Sequence, residues 1–66
     1  MYKCDLNRKA FEQAMINKNF SPLQLALHAN VCDNTVYRVI RSGEITLMTL
    51  YKIADALEVL PTDLVE

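Results

Sequence analysis

The amino-acid sequence predicts an all-α fold, a compact bundle of four to five short helices. Apolar residues recur at spacings of three and four in several segments, which is the periodicity of helices that bury one face. The single glycine, the two prolines and small polar clusters separate these segments. No stretch alternates apolar and polar residues for long enough to predict a sheet. The 66 residues, 52% of them apolar, indicate one folded domain over residues 1–66.

The first helix is expected to begin after Asp5, whose carboxylate suits an N-cap, and to run to about Asn17. The segment of Asn17, Lys18 and Asn19 then ends it, because asparagine readily leaves helical geometry. The apolar face of this helix comprises Leu6, Ala10, Phe11, Ala14 and Met15.

The second helix begins at the sharpest local pattern in the chain. Ser21 suits the N-cap, Pro22 the first helical position, and Gln24 the place three residues after the cap, which together predict a capping box. The helix is expected to run to about Ala29. Asn30 can take the left-handed conformation that ends it, so this helix is short.

The third helix is expected to begin near Cys32 or Asp33 and to end near Ser42. Gly43 then provides a left-handed C-cap, for which glycine is the usual residue. The buried stripe of this helix comprises Val36, Val39 and Ile40.

A fourth helix is expected after Thr46, a residue type suited to the N-cap, and runs to about Glu58. It has the most regular core face in the sequence, which comprises Leu47, Leu50, Ile53, Ala54 and Leu57. The residues Pro61–Leu64 predict one further helical turn.

Polar side chains of the third helix lie opposite its buried stripe on a wheel of roughly 100° per residue. They are Asp33, Asn34, Tyr37, Arg38 and Arg41. Arginine can bond guanine through two donors, and asparagine can bond adenine in the same way. Any surface helix carries polar residues outside, so this face alone also fits a solvated surface. A short capped helix, a tight break and a helix with this mixed face are typical of the helix-turn-helix, whose second helix enters the major groove.

Residues 20–65 resemble the Cro and phage-repressor helix-turn-helix family, also called the XRE family. The resemblance covers most of the chain in consistent register. The matching residues are Ser21, Leu25, Ala26, Val31, Thr35, Val36, Arg38, Val39, Arg41, Gly43, Thr49, Leu50, Lys52, Ile53, Ala54, Ala56, Leu57, Val59, Asp63 and Leu64.

This resemblance implies a small transcriptional regulator of the phage-repressor fold, with its third helix in the major groove of double-stranded DNA. Family members read bases from the start of that helix and from one turn further along, which here implies base contacts by Asp33, Asn34, Tyr37 and Arg38. Phosphate contacts are implied for Ser21, Cys32, Thr35, Arg41, Ser42 and the Gly43 backbone. A homodimer on a pseudo-palindrome is expected, with Leu60, Pro61 and the end of the fourth helix at its interface.

Several positions depart from the family pattern. Pro22 stands where many members carry a phosphate-binding glutamine, and Asn30 replaces the usual turn glycine. Cys32 stands at the cap of the third helix, where serine or threonine is usual, so its capping and phosphate roles are weakened. Met15 and Ile40 occupy the positions of a buried Arg–Glu pair in some phage repressors, so an apolar contact is expected here instead.

The charge balance weighs against nucleic-acid binding, because the formal net charge is −1. Phosphate neutralisation by lysine and arginine supplies most non-specific DNA affinity, so the seven basic residues must be well placed. Net acidity, Pro22 and Asp33 favour an alternative, a protein-interaction module on the same fold with weak or no DNA binding. A second alternative is an antitoxin-like domain that binds both a toxin and its own operator.

Other classes of function are not expected. No histidine lies beside a serine or threonine as a base and there is no glycine-rich phosphate loop, so neither an enzyme nor a cofactor or small-molecule substrate is predicted. A structural zinc ion wants about four ligands, and His28 is the only histidine. Cys4 and Cys32 are expected to be free thiols. No apolar run reaches the ~20 residues that span a bilayer, and a cytoplasmic protein is expected.

Overall fold

The computed structural model describes residues 3–66, and its helices confirm the predicted all-α helix-turn-helix fold. The second and third helices form the helix-turn-helix. In chain order the elements are β1 (Lys3–Asp5), α1 (Arg8–Lys18), α2 (Pro22–Ala29), α3 (Asp33–Ser42), β2 (Glu44–Thr46), α4 (Leu47–Leu57) and a short 3₁₀ helix (Pro61–Leu64).

The ends of α2 confirm the pattern predicted from the sequence. The Gln24 amide donates to Ser21 Oγ at 3.2 Å, and the Ser21 amide donates to Gln24 Oε1 at 2.9 Å, so the capping box is complete. Asn30 ends the helix in the left-handed conformation, with φ at 59°. The chain therefore turns sharply between α2 and α3, as a helix-turn-helix requires.

The ends of α3 and α4 also follow the prediction. Gly43 takes a φ of 73° as the C-cap of α3, and its amide donates to the Val39 carbonyl at 2.9 Å. Thr46 caps α4 by accepting from the Thr49 amide at 3.4 Å. Glu58 ends α4 in the left-handed conformation. Side-chain caps thus begin α2 and α4, and a left-handed residue ends each of α2, α3 and α4.

A two-stranded antiparallel ribbon contradicts the expectation of no sheet. Strand β1 pairs with β2 in the register Lys3 with Thr46, Cys4 with Ile45 and Asp5 with Glu44. A bridge between Leu6 and Val65 continues the pairing. Strands of three residues are too short to show a period of two, and their partners lie about forty residues apart in the chain. The ribbon is therefore a non-local feature with almost no local sequence pattern.

The ribbon also explains why the predicted N-cap of α1 is wrong. Asp5 belongs to β1, and its carbonyl accepts from the Glu66 amide at 3.0 Å. Pairing keeps the backbone extended through Leu6, so the helix begins later. Asn7 is the cap, and its Oδ1 accepts from the Ala10 amide at 3.2 Å.

The core lies between the helices and beneath the ribbon. Helix α2 packs against both α3 and α4, while α1 packs against α4 and the 3₁₀ helix. Leu47 was predicted to be part of the core face of α4, but it lies at the first position of the helix and is exposed. The buried side chains are Leu6, Phe11, Ala14, Met15, Leu25, Ala26, Ala29, Val36, Val39, Ile45, Leu50, Ile53, Ala54, Leu57 and Leu64.

Candidate nucleic-acid interface

Helix α3 has one buried face and one exposed polar face. Val36 is fully buried and Val39 nearly so, while Ile40 is half-buried against the same core. The opposite side carries side chains that all face solvent, and we call this set the reading face. It comprises Asp33, Asn34, Tyr37, Arg38 and Arg41.

The cationic side chains of the reading face are free to bind an anion or a base. Among residues 3–66 the only ion pair joins Lys18 to Glu58, and neither residue belongs to α3. Arg38 and Arg41 therefore have no carboxylate partner in this part of the chain. Tyr37 keeps 46% of its surface exposed beside them. Free guanidinium groups and an exposed phenol on one rigid helix can donate hydrogen bonds outward.

The N-terminal end of α3 is closed by its own first residue and not by its cap. Cys32 occupies the N-cap position but makes no side-chain cap hydrogen bond, as its residue type predicted. Asp33 Oδ1 instead accepts from the Asn34 amide at 2.9 Å. A carboxylate is favourable there because the first turn of a helix carries partial positive charge. This arrangement gives Asp33 a local structural role, in addition to its place on the reading face.

The C-terminal end of α3 is held by Arg8, a residue for which the sequence suggested no such contact. The Arg8 guanidinium donates to the Ile40 carbonyl at 2.5 Å and to the Arg41 carbonyl at 3.4 Å. The last carbonyls of a helix lack intrahelical partners, and a cation near them is favoured by the helix dipole. Helix α1 thus fixes the end of the helix that carries the reading face.

Glycine is favoured at position 43, the exit of α3, for two separate reasons. Its φ of 73° lies in the left-handed region, which most side chains avoid. A Cβ built on Gly43 would also stand 3.0 Å from Arg8 Nη2. Its amide donates to Val39, and its carbonyl accepts from the Leu6 amide at 2.9 Å. Both backbone polar groups of Gly43 are therefore occupied within the protein.

Ser42 and Ser21, two predicted phosphate contacts, are exposed but already take part in local hydrogen bonds. The Glu44 amide donates to Ser42 Oγ at 3.1 Å. Ser21 Oγ accepts from the Gln24 amide in the capping box. A hydroxyl has one proton to give and two lone pairs. Ser21 therefore keeps a donor for a further acceptor, whereas Ser42 Oγ already donates to the Glu44 carbonyl at 3.4 Å and keeps one lone pair.

One side of α3 borders a cleft lined mainly by polar residue types, which we call the ribbon flank. It encloses a cavity of about 330 Å³ between α3, the ribbon and the start of α4. Thr35 faces this cleft and is half-buried, so it lies beside the reading face and not on it. Side chains that line the cleft include Lys3, Thr35, Arg38, Ser42, Glu44 and Thr46.

The other side of α3 borders an apolar groove, which we call the α2 flank. Leu23 and Leu27 lie one turn apart on α2 and are 58% and 79% exposed. Val31 and Ala26 line the same groove, and Asp33 is the one charged residue of residues 3–66 that lines it. The reading face is therefore bordered by cations and hydroxyls on one side and by leucines on the other.

Beneath the reading face, the two positions where an apolar contact was predicted, Met15 and Ile40, lie around the same cavity. Met15 is buried, Ile40 is half-buried, and both line one small cavity together with Phe11. Cys4 and Cys32 are free thiols. Within residues 3–66 no group of three or more His, Cys, Asp or Glu side chains is placed to hold a metal ion. None of the helices in this range is both long and apolar enough to cross a membrane.

Comparison with protein families agrees with this geometry. A family model described as the Cro/C1-type HTH DNA-binding domain matches residues 11–66, from within α1 to the last residue. Strand β1 and Arg8 precede the matched residues. Comparison with curated proteins and with solved structures gave no match.

Proposed function

The chain belongs to the Cro/C1-type helix-turn-helix DNA-binding domain family, and we propose that it binds specific sequences of double-stranded DNA as a small transcriptional regulator. Helix α3 enters the major groove in this proposal, and its outward side chains read base edges. Family membership supports DNA binding and transcription regulation, whereas sequence specificity and the docking geometry are our inference.

The observation that carries the proposal is that every side chain of the reading face is exposed on a helix whose opposite side is buried. A helix about 10–12 Å across fits a major groove about 12 Å wide only if its outer face is unobstructed. The exposed side chains include asparagine and two arginines without carboxylate partners in residues 3–66. Asn34 and Arg38 are our first assignments for base contacts, and Asp33 and Tyr37 complete the set.

Phosphate contacts in this proposal come from both ends of α3 and from the start of α2. Arg41 and Ser42 are exposed at the C-terminal end, next to Gly43. Ser21 and Cys32 lie at the two N-caps, and Thr35 lies on the ribbon flank. Gly43 contributes through the close approach that its missing Cβ permits, because its own amide is occupied.

Two copies of the chain are proposed to bind together, since one short helix offers few base contacts. Dimers of helix-turn-helix proteins bind half-sites one helical turn apart, and the DNA site then has matching two-fold symmetry. Leu60 is 66% exposed just after α4 and next to Pro61, which supports the predicted interface in this region.

The direct test is the salt dependence of binding to mixed-sequence duplexes, followed by selection of a preferred site from random duplexes. Each neutralised phosphate adds about 0.9 to the slope of log affinity against log salt. We expect a slope of several units and enrichment of a pseudo-palindromic site. A slope near zero, or no binding at low salt, would contradict the proposal.

Exposed leucines favour a second candidate, a protein-interaction module on the same fold. Leu23 and Leu27 form an apolar surface beside Asp33, and the net charge of −1 does not favour a polyanion. The salt experiment separates the two candidates, because an interaction module has no dependence on phosphate neutralisation.

A further inference from the structure

The ribbon flank brings together two cations from distant parts of the chain. Lys3 on β1 and Arg38 on α3 line the same cleft, 35 positions apart in the sequence. Among the residues that the structure describes, Glu44 is the one carboxylate that lines it. Neither cation forms an ion pair within residues 3–66, not even with Glu44. Two unpaired cations and one carboxylate give the lining of this open cavity a net positive charge, which favours an anionic ligand.

Two hydroxyl groups around this cleft, those of Thr35 and Thr49, add donors that have no acceptor among the described residues. Thr35 makes no side-chain hydrogen bond among the described residues. Thr49 Oγ1 accepts from Thr46 Oγ1 at 2.9 Å, so the Thr49 hydroxyl proton remains free to donate. Together with the Lys3 ammonium and the Arg38 guanidinium, which only donate, these hydroxyls can give several hydrogen bonds to one ligand. Phosphate oxygens accept hydrogen bonds without donating any, which suits these donors.

The position of Lys3 is fixed before any ligand binds. Strand β1 is paired with β2 and places Lys3 opposite Thr46. The strand is held further by the hydrogen bond from the Leu6 amide to Gly43 and by that from the Glu66 amide to Asp5. Ordering a flexible lysine-bearing tail on binding would cost backbone entropy, and here that entropy is already lost on folding.

The cleft adjoins the reading face through Arg38, which belongs to both. A helix about as wide as the major groove has its two flanks against the two walls of the groove, and these walls are phosphate backbones. A phosphate seated in the ribbon flank would contact the helix on the side of Thr35 and Ser42. Lys3 would then reach it from the opposite side of the cleft.

We propose that the ribbon flank is a phosphate-binding site, in which Lys3 binds a DNA backbone phosphate beside α3. This assignment deepens the proposed DNA-binding function and rests on it. Lys3 precedes the residues that the family model matches and was not among the phosphate contacts predicted from the sequence. In this proposal the ribbon holds Lys3 against the phosphate backbone that forms one wall of the major groove.

The test compares Lys3→Thr with Lys9→Ala in duplex binding measured from 50 to 200 mM salt. Threonine keeps the strand propensity of β1, and Lys9 is an exposed cation on α1 with no hydrogen bond or ion pair among residues 3–66. We expect Lys3→Thr to lower the salt slope by about 0.9 and to weaken binding about three- to fourfold more at 50 mM than at 200 mM. The loss should be equal on selected and mixed sequences, and Lys9→Ala should retain the wild-type slope.

Two further variants test whether charge in the ribbon flank determines the salt slope and the affinity. Lys3→Arg should restore the wild-type slope, because it restores the charge at the same strand position. Glu44→Gln should strengthen binding at low salt, because it removes the one carboxylate of the cleft. Thermal unfolding at a temperature no lower than that of the wild-type protein would establish for each variant that the ribbon is intact.

The outcomes separate this inference from the proposed function. If the wild-type protein binds duplexes with a steep slope and Lys3→Thr retains that slope, the ribbon flank is not a DNA phosphate site and the function stands. If the wild-type protein binds no duplex, both proposals are overturned. In a last experiment the protein is titrated with inorganic phosphate, and binding is monitored through the amide chemical shifts. Saturable binding of inorganic phosphate that depends on Lys3, with duplex binding unaffected by Lys3→Thr, would identify a free-anion site and overturn the DNA assignment.

Discussion

The ribbon flank and the α2 flank border the same helix but differ in chemistry. The ribbon flank presents Lys3 and Arg38 with several hydroxyls, and the α2 flank presents Leu23 and Leu27 with no cation. The two sides of α3 should therefore contribute unequally to phosphate binding. The placement of the charged residues therefore matters more for binding a polyanion than their sum does. A chain of net charge −1 can still offer one side of α3 to a polyanion.

The distribution of acidic residues supports the same conclusion. Four of the eight acidic residues fall in residues 55–66, at and beyond the end of α4. Arg38 and Arg41 lie on α3, and Arg8 holds its C-terminal end. The net negative charge of the whole chain is therefore weak evidence against DNA binding.

The largest effect should come from Gly43→Ala, which disturbs the junction between α3 and the ribbon. A side chain at positive φ costs about 1–2 kcal/mol. The new Cβ would also stand 3.0 Å from Arg8 Nη2, so the guanidinium of Arg8 would have to move. We expect the free energy of unfolding to fall by about that amount or more, measured by urea denaturation. Stability equal to that of the wild-type protein would show that neither the backbone angle nor the Arg8 contact constrains this position.

Arg8→Ala should have the next largest effect. It leaves the last carbonyls of α3 without their charged donor, which should lower the free energy of unfolding by about 1 kcal/mol, discounted for the exposure of Arg8. DNA affinity should fall at constant salt slope, because Arg8 positions the helix without touching phosphate. Lys9→Ala is the matched control and should change neither quantity. A slope reduced by about 0.9 in Arg8→Ala would instead identify Arg8 as a phosphate contact.

Leu27→Lys should make the α2 flank more like the ribbon flank, because it adds a cation there. Leu27 is 79% exposed, so the substitution should change stability by no more than about 0.5 kcal/mol. A cation on the α2 flank should steepen the salt slope by about 0.9, measured by duplex binding as a function of salt. Leu27→Ser, which removes the apolar side chain without adding charge, should leave the slope unchanged. An identical slope in Leu27→Lys and Leu27→Ser would mean that this flank does not face phosphate.

Asp5→Asn should produce the smallest effect and refine the description of the ribbon. Asp5 and Glu44 stand directly opposite one another, and like charges in such a pair are destabilising. Neutralising one of them should raise the free energy of unfolding by about 0.2–1 kcal/mol at low salt. The gain should shrink as salt is added. A loss of stability would indicate that Asp5 has a partner beyond this pairing.

Local chemistry made the helix-turn-helix predictable. The capping box at Ser21 and Gln24, the left-handed Asn30 and the glycine after α3 each leave a mark within a few residues of sequence. Helical periodicity then distinguishes the buried face of α3 from its exposed face. The reading face could therefore be identified from the sequence.

Non-local contacts account for what the sequence did not reveal. Strand β1 pairs with a segment about forty residues away, and this pairing moved the N-cap of α1 from Asp5 to Asn7. Arg8 meets carbonyls that are 32 and 33 residues distant. The cleft that joins Lys3 to Arg38 exists only because the ribbon forms. No local pattern in the chain encodes any of these contacts.

The most direct measurement concerns Arg38, which belongs to both the reading face and the ribbon flank. Affinity of the wild-type protein and of Arg38→Ala is compared on the selected duplex and on each of its single base-pair variants, at one fixed salt concentration. We expect Arg38→Ala to lose about 1–3 kcal/mol of discrimination at one base pair of each half-site, with preferences elsewhere retained. Unchanged affinity and unchanged preference at every position would contradict the assignment of α3 as the helix that reads DNA.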